Sequence, residues 1–108
     1  MAQDFTRHAV QATNSAVTIF TSNSNDAVIG IRVANILTTA ITVSVWISVG
    51  GSATRYIVKD LSIPPASSAE LIQGGSKFVM QSSDVLKVIA SASSGAHVYV
   101  SVVDAISA

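Results

Sequence analysis

A Val or Ile at every second position from Ile41 to Val49 is the feature that most limits what this chain can fold into. In the stretch AITVSVWISVGGSATRYIVKD, every second residue from Ile41 to Val49 is Ile or Val, with Thr, Ser or Trp46 between them. A period of two places the apolar side chains on one face of a β-strand. No segment of the sequence sustains the 3.6-residue period of an amphipathic helix, so strands are expected throughout.

Short segments of this kind recur along the chain and are separated by turn-forming Gly, Pro, Asn, Asp and Ser residues. Their pattern predicts an all-β fold, a single β-sandwich of about eight short antiparallel strands, immunoglobulin-like or jelly-roll-like. One domain covers residues 1–108, and residues 1–11 could serve as an arm that contacts a neighbour. The predicted strands are Phe5–Val10, Ala16–Thr21, Ala27–Asn35, Ile41–Val49, Thr54–Leu61, Ala69–Ile72, Lys77–Gln81, Val85–Ala92 and Ala96–Ala105.

The first predicted hairpin turns at the Gly-Gly pair after the Trp46 strand. A two-residue loop would set Val45 opposite Tyr56 and Trp46 opposite Arg55, whereas a four-residue loop would set Val45 opposite Val58. Both even-length loops keep the apolar residues together, so an even loop is expected. Either loop leaves one apolar residue of the second strand, at position 57, on the polar face without an explanation.

The second predicted hairpin joins the last two strands through a three-residue loop that ends at Gly95, where a left-handed residue is favoured. Both faces of this hairpin would be apolar, which suits strands that are covered on two sides. The expected pairs are Ala90 with Val98, Val88 with Val100, Leu86 with Val102, Ile89 with Tyr99 and Val85 with Val103.

The composition indicates that part of the apolar surface is covered by other molecules. The chain has 108 residues, of which 49% are hydrophobic and 11% charged, and its mean hydropathy is +0.54. A domain of this size buries only about two-thirds of its unfolded surface. An apolar excess on so small a domain predicts contacts with other subunits, in an oligomer or a larger assembly.

Charge and cysteine content exclude several classes of function. Six basic residues balance six acidic ones and form no basic patch, so no nucleic-acid partner is expected. The absence of Cys excludes disulfides and thiol catalysis. The N-terminal residues lack the apolar run of a secretory signal, and the longest apolar stretch is too short for a spanning helix, so neither general export nor a membrane partner is expected.

The sequence offers no set of residues that would carry catalysis. His8 and His97 are isolated from other metal ligands, and no carboxylates stand as a close pair. The many Ser residues lack the sequence context of a nucleophile elbow, and the Gly-containing turns lack the Lys of a phosphate loop. We therefore expect no catalytic, cofactor-binding or metal-binding residues, no cofactor and no enzymatic activity.

Aromatic side chains supply the candidates for an interaction site. Trp46 stands on the polar side of its strand, where it could cover the sheet, anchor an interface or stack on a sugar. Opposite Arg55 it would gain a cation–π contact of about 0.5–1 kcal/mol. The expected interface residues are Phe5, Trp46, Arg55, Tyr56, Tyr99 and Val103.

The second half of the chain resembles the small virion structural proteins of tailed bacteriophages, of the cyanophage and marine-phage type. The similarity lies in IPPASSAELI and in GGSKFVMQSSDVLKVIASASSGAHVYVSVVDAI. Its elements are an Ile63-Pro64 turn, a Gly75–Lys77 turn, an acidic turn at Ser83–Leu86, an Ala90–Ala92 strand and a final strand over Val98–Ile106.

The resemblance implies a non-enzymatic structural subunit of a virion, either a head decoration or cement protein or a neck or tail component. Its partners would be further copies of itself and other virion proteins, and it would be located in the virion after synthesis in the host bacterial cytoplasm. The alternative function is a glycan-binding adhesion module on a virion or bacterial surface. Trp46, Tyr56 or Tyr99 would then form the sugar platform.

Overall fold

The alternating segments form strands in the computed structural model of the protein, which describes residues 4–22, 25–50, 52–71 and 78–104. These residues contain β1 (Asp4–Ala12), β2 (Val17–Thr21), β3 (Asp26–Asn35), β4 (Ile41–Val49), β5 (Ala53–Ile63), β6 (Ser68–Glu70), β7 (Phe78–Met80), β8 (Val85–Ala90) and β9 (Ala96–Asp104). Each predicted strand has a counterpart, and the all-β fold is confirmed. The predicted strand ends at Ile72, Lys77 and Ala105 lie outside the described residues. In this part of the chain no helix is long and apolar enough to cross a membrane.

The strands are arranged in two antiparallel sheets. Sheet A has the order β1-β9-β3, with β6 and β7 both paired to the far edge of β3, and sheet B has the order β2-β8-β4-β5. Most connections carry the chain from one sheet to the other. If β6 and β7 are counted as two parts of one strand position, this order is that of a jelly roll. Of the two sandwich types that the sequence predicted, the strand order therefore fits the jelly roll.

The core lies between the inner faces of the two sheets. Its largest fully buried side chains come from β3, β4, β5, β7, β8 and β9, and most of them lie on the central strands of the two sheets. Sheets packed in this way lie about 10 Å apart, so one layer of interdigitated side chains fills the space. The fully buried residues are Ile31, Ile63, Met80, Leu86, Val28, Val33, Val43, Val45, Val88, Val98, Val100 and Val102.

The predicted C-terminal hairpin is wrong, because β8 and β9 belong to different sheets. β8 pairs with β2 and β4, and β9 pairs with β1 and β3. Val88 and Val100, expected to share a face, are both buried in the core but belong to opposite sheets. Ile89 and Tyr99, also expected to share a face, lie on the outer faces of different sheets. The connection crosses from one sheet to the other, and Gly95 has the expected positive φ, +98°. Alternation assigned the faces correctly and could not reveal the partners.

The even-length loop expected between β4 and β5 is wrong, because the pairs next to the turn leave three residues in the loop. Val45 lies opposite Val58, as the four-residue loop predicted, but Val49 pairs with Ala53, so the loop spans residues 50–52. Two register irregularities reconcile these pairings. One leaves Ile57 as an extra residue in β5, where it packs against the core, and this explains its place among polar neighbours.

The N-terminal segment is a strand of the sandwich and not a free arm. From residue 4 to 12 it forms β1, which pairs along its whole length with β9 of the same chain. It lies at the edge of sheet A, and its contact with a neighbour stays a prediction. Residues 1–3 lie outside the described part of the chain.

A buried amide holds together the loops at one end of the sandwich. Asn35 Nδ2 donates hydrogen bonds to the carbonyl oxygens of Thr39, Ile63 and Pro64 at 2.9, 3.1 and 3.1 Å, while its Oδ1 accepts one from Leu37 N at 3.0 Å. One side chain therefore fixes the β3–β4 crossing against the end of β5. The amide thus supplies donors to loop and strand-end carbonyl oxygens while its own oxygen is also satisfied.

Candidate functional site

The outer face of sheet A carries an apolar row that crosses all of its strand positions. The strand register sets Phe5 beside Val103, Val103 beside Ala27, and Ala27 beside Val79. These side chains point away from the core, because their neighbours along each strand point into it. Phe5 is 82% exposed and Val79 is 55% exposed. The ends of this row therefore present large apolar groups to solvent, while Val103 and Ala27 between them are partly buried.

Small side chains next to large ones leave at least three shallow concavities on the same face. Ala9, Ala34 and Gly30 lie beside the large side chains of Tyr99 and Arg32, so the surface drops between them. One concavity of about 440 Å³ lies beside Ala9 and Ala34, and one of about 430 Å³ lies beside Gly30; both touch Tyr99. The third, of about 530 Å³, lies between Phe5 and Ser101. The face therefore consists of raised and recessed positions suited to interlocking with another surface.

Few charges interrupt this face. Arg32 Nε and a carboxylate oxygen of Glu70 form an ion pair at 3.7 Å across β3 and β6. The other Glu70 oxygen accepts a hydrogen bond from Ile31 N at 3.2 Å. Both side chains are partly exposed, so solvent screens the pair and its contribution to stability is small. The pair offsets the charge of Arg32, while Arg7 on β1 is a second exposed cation on the same face.

The outer face of sheet B has a different character. One row runs from Thr18 to Lys87, then Trp46, then Tyr56, because these residues are register partners. The rings of Trp46 and Tyr56 are 5.8 Å apart and inclined by 54°. Lys59 Nζ lies 5.3 Å from the Tyr56 ring centroid. The cation–π contact on this face is thus between Lys59 and Tyr56, and not between Arg55 and Trp46 as predicted.

The six predicted interface residues do not form one site. Phe5, Tyr99 and Val103 lie on the outer face of sheet A, where Tyr99 is 48% exposed. Trp46 and Tyr56 lie on the outer face of sheet B, on the opposite side of the core. Arg55 lies opposite Ile47 in β5, the edge strand, and donates a hydrogen bond to Thr54 O at 2.8 Å. It is exposed, and the expected pairing of Arg55 with Trp46 is wrong.

Sequence reasoning missed the residues that complete the apolar row. Ala27 and Val79 were read only as strand residues, although their outward direction follows from the buried residues beside them, Val28 and Met80. The alternation on each strand contained that signal. Joining them to Phe5 required knowledge of which strands are neighbours, and alternation carries no such information.

The histidines lie in separate environments. The His8 ring stacks on Phe20 with 4.3 Å between centroids and 6° between planes. His97 lines the concavity beside Ala34. Among the described residues, no three metal-ligating side chains are grouped closely enough to hold an ion. On the described part of the molecule, the outer sheet faces are therefore the candidate sites.

Comparison with known proteins gives one line of similarity. No protein-family model matches the chain, and no curated protein matches it. A solved structure of Bacillus endospore appendages, described as a novel family of disulfide-linked pili, is 17% identical over 98% of this chain and 88% of that chain, with a TM-score of 0.59. At this identity the similarity shows a shared fold, the β-sandwich.

Proposed function

We propose that the chain is a non-enzymatic structural subunit that assembles with further copies by burying the outer face of sheet A. The observation that supports this function best is the apolar row from Phe5 to Val79, exposed on a face that also has recesses. Exposed apolar groups that are contiguous and not scattered mark interaction surfaces. The Arg32–Glu70 pair reduces the charge that is desolvated when this face is covered, although the exposed Arg7 adds a further cation.

The energetics suit an assembly held by many weak contacts. Full burial of one large apolar side chain contributes about 1.5–3 kcal/mol. When one pair of small faces associates, the entropic cost of association offsets part of the free energy gained by burying their apolar side chains. Several contacts per subunit raise the overall strength through effective concentration. The zero net charge of the chain lowers the repulsion between packed copies.

The proposed setting of this subunit is a tailed-phage virion, as head decoration, cement, neck or tail component. The sequence resemblance supports that setting, with a homotrimer or another homo-oligomer as the unit and other virion proteins as neighbours. The Bacillus appendages of similar fold form pili, which supports a filament as another form of the same assembly. Since this chain has no Cys, its contacts in either assembly are made without disulfides.

Matched tyrosine variants test which face assembles. Tyr99 on sheet A and Tyr56 on sheet B are 48% and 51% exposed, so their substitutions remove similar side chains from similar environments. We expect Tyr99→Ser to shift the sedimentation mass toward the monomer and Tyr56→Ser to leave it unchanged. Purified chain that stays monomeric at high micromolar concentration would contradict the proposal. Electron microscopy of virions produced without the chain would test the phage setting, and microscopy of the purified chain would reveal filaments.

The second candidate function is glycan binding, and the observation that favours it is the Trp46–Tyr56 pair with Lys59 beside it. Aromatic faces stack on sugar rings, and the ammonium group could contact hydroxyl or acidic groups of a sugar. Tyr99 lies on the opposite face and adds nothing to this platform. Trp46→Ala should abolish binding on a glycan array while assembly persists; unchanged binding, or no binding by the natural chain, would contradict this function.

A further inference from the structure

The free edges of the two sheets differ in how well they are protected against pairing. β2 has five residues and a register irregularity between Thr18 and Phe20. β5 is long, but it has two irregularities against β4 and a positive φ of 54° at Asp60. β6 and β7 have three residues each. Short strands, bulges and charged residues are the usual means by which proteins block pairing at an edge.

β1 is neither short nor bulged, and Arg7 is the charged side chain that its described part exposes. It has nine residues, and every one of them pairs with β9 without a register shift. It contains no Pro, Gly or Lys. Within the described residues, no strand pairs with its other edge. β1 therefore presents a long, regular row of backbone donors and acceptors of the kind that accepts another strand.

We propose that β1 pairs with β1 of a second copy, antiparallel about a two-fold axis, and joins the two A sheets into one continuous sheet. The inference rests on the proposed function, because it names the contact through which copies assemble. A second copy offers a regular strand of matching length only in its own β1, since its other described edges are short or irregular. An isologous contact of this kind is the commonest in homo-oligomers.

The alternation of β1 and its charges select the register. Residues that point outward must lie opposite residues that point outward, because a shift of one residue would place the outer face of one copy next to the inner face of the other. A register centred on Arg7 would place two guanidinium groups opposite each other, which is destabilising. A register centred on His8 pairs all nine residues, from Asp4 opposite Ala12 to Ala12 opposite Asp4, with no like charges opposed. It places Arg7 opposite Ala9 of the second copy.

This register also gives Phe5, the most exposed of the large apolar side chains in the described part of the chain, a neighbour in the second copy. Phe5 lies opposite Gln11 of the second copy, and Gln11 lines the concavity beside Ala9 on the outer face. The two apolar rows then lie on one shared surface, which doubles the area that further copies can cover. Pairing at the edge and packing of the face are thus separate contacts in one assembly.

Charge variants at Ala9 test the register directly. Ala9→Glu places a carboxylate opposite each Arg7 of the pair, and Ala9→Lys places an ammonium there. Two opposite-charge pairs should lower the dimer dissociation constant about 2- to 30-fold, and two like-charge pairs should raise it by a similar factor. The double variant Arg7→Glu/Ala9→Lys exchanges the charges and re-forms two opposite-charge pairs, so its dissociation constant should fall below the natural value, close to that of Ala9→Glu. Sedimentation equilibrium measures these constants, and circular dichroism checks that each variant is folded.

Cysteine cross-linking tests the two-fold axis independently. The natural chain has no Cys, so a single introduced thiol can form only an intermolecular disulfide. Opposed residues of an antiparallel pair have Cα atoms about 4.5–5.5 Å apart, within disulfide range. We expect His8→Cys to form a disulfide-linked dimer under mild oxidation. Thr6→Cys is the control, because the register separates its two copies by four residues, about 13 Å.

The outcomes separate this proposal from the proposed function. If both Ala9 variants weaken association to the same extent, bulk on the outer face is responsible, so face packing stands and strand pairing is refuted. Faster cross-linking through Thr6→Cys than through His8→Cys would also refute the register. A natural chain that is monomeric at every concentration would overturn both proposals.

Discussion

Replacement of Gly95 by Ala should destabilise the fold through the contact between two loops that cross from one sheet to the other. Gly95 is buried and has a φ of +98°, a conformation that L-residues rarely adopt. A Cβ atom there would lie against the Cγ of Leu37 and 2.7 Å from each of its Cδ atoms. The Gly95 carbonyl also accepts a hydrogen bond from Ile36 N at 2.8 Å, so the loops cannot separate without losing it.

Two costs add at this position. The positive φ contributes about 1–2 kcal/mol for a residue with a Cβ. Overlap with a packed side chain contributes about 1–3 kcal/mol, depending on how far Leu37 can move. The sum of about 2–5 kcal/mol is a large share of the about 5–15 kcal/mol by which domains of this kind are stable. Urea unfolding followed by the fluorescence of Trp46, the only Trp, would measure it.

Gly50 provides the matched control. Its φ is +62°, and a Cβ there would meet no atom within 4 Å, so Gly50→Ala should lose only the conformational part, about 1–2 kcal/mol. In a Leu37→Ala background the overlap disappears, and the cost of Gly95→Ala should fall toward that of Gly50→Ala. Equal losses for Gly95→Ala and Gly50→Ala in the natural background would refute the steric explanation.

Two further substitutions test the polar side chains that hold the loops. Asn35→Asp replaces the amide that donates to three carbonyl oxygens with a carboxylate that repels them. We expect urea unfolding to show that the free energy of unfolding falls by about 3–5 kcal/mol. A decrease under about 1 kcal/mol would contradict the role of the amide. Asp84→Ala removes the carboxylate that accepts hydrogen bonds from Gly50 N at 2.9 Å and Gln81 N at 3.0 Å. It should cost about 1–3 kcal/mol and increase amide hydrogen exchange at both positions, whereas unchanged exchange would show that the turns hold without it.

The sequence predicted which aromatic residues lie at the surface, but not which of them share a face. Phe5, Tyr56 and Tyr99 were expected at an interface, and the structure places all three at the surface, although alternation had grouped Tyr56 with the apolar side of its strand. Their grouping did not follow, since Tyr56 and Tyr99 lie on opposite sides of the sandwich. The register of β4 and β5 also depends on irregularities that accommodate Ile57 and Asp60, and these arise from packing against neighbouring strands.

Alternation along the chain determined the strands of this protein and the direction of their side chains. Val88 and Val100 were expected to share a buried environment, and both are fully buried. The tertiary structure alone decided that these residues meet across the core, and that β1 and β9, from opposite ends of the chain, lie side by side. The physical reason is that a period of two is a local property of one strand. The choice of a strand's neighbour depends on how all the apolar faces close around one core, to which residues far apart in sequence contribute together.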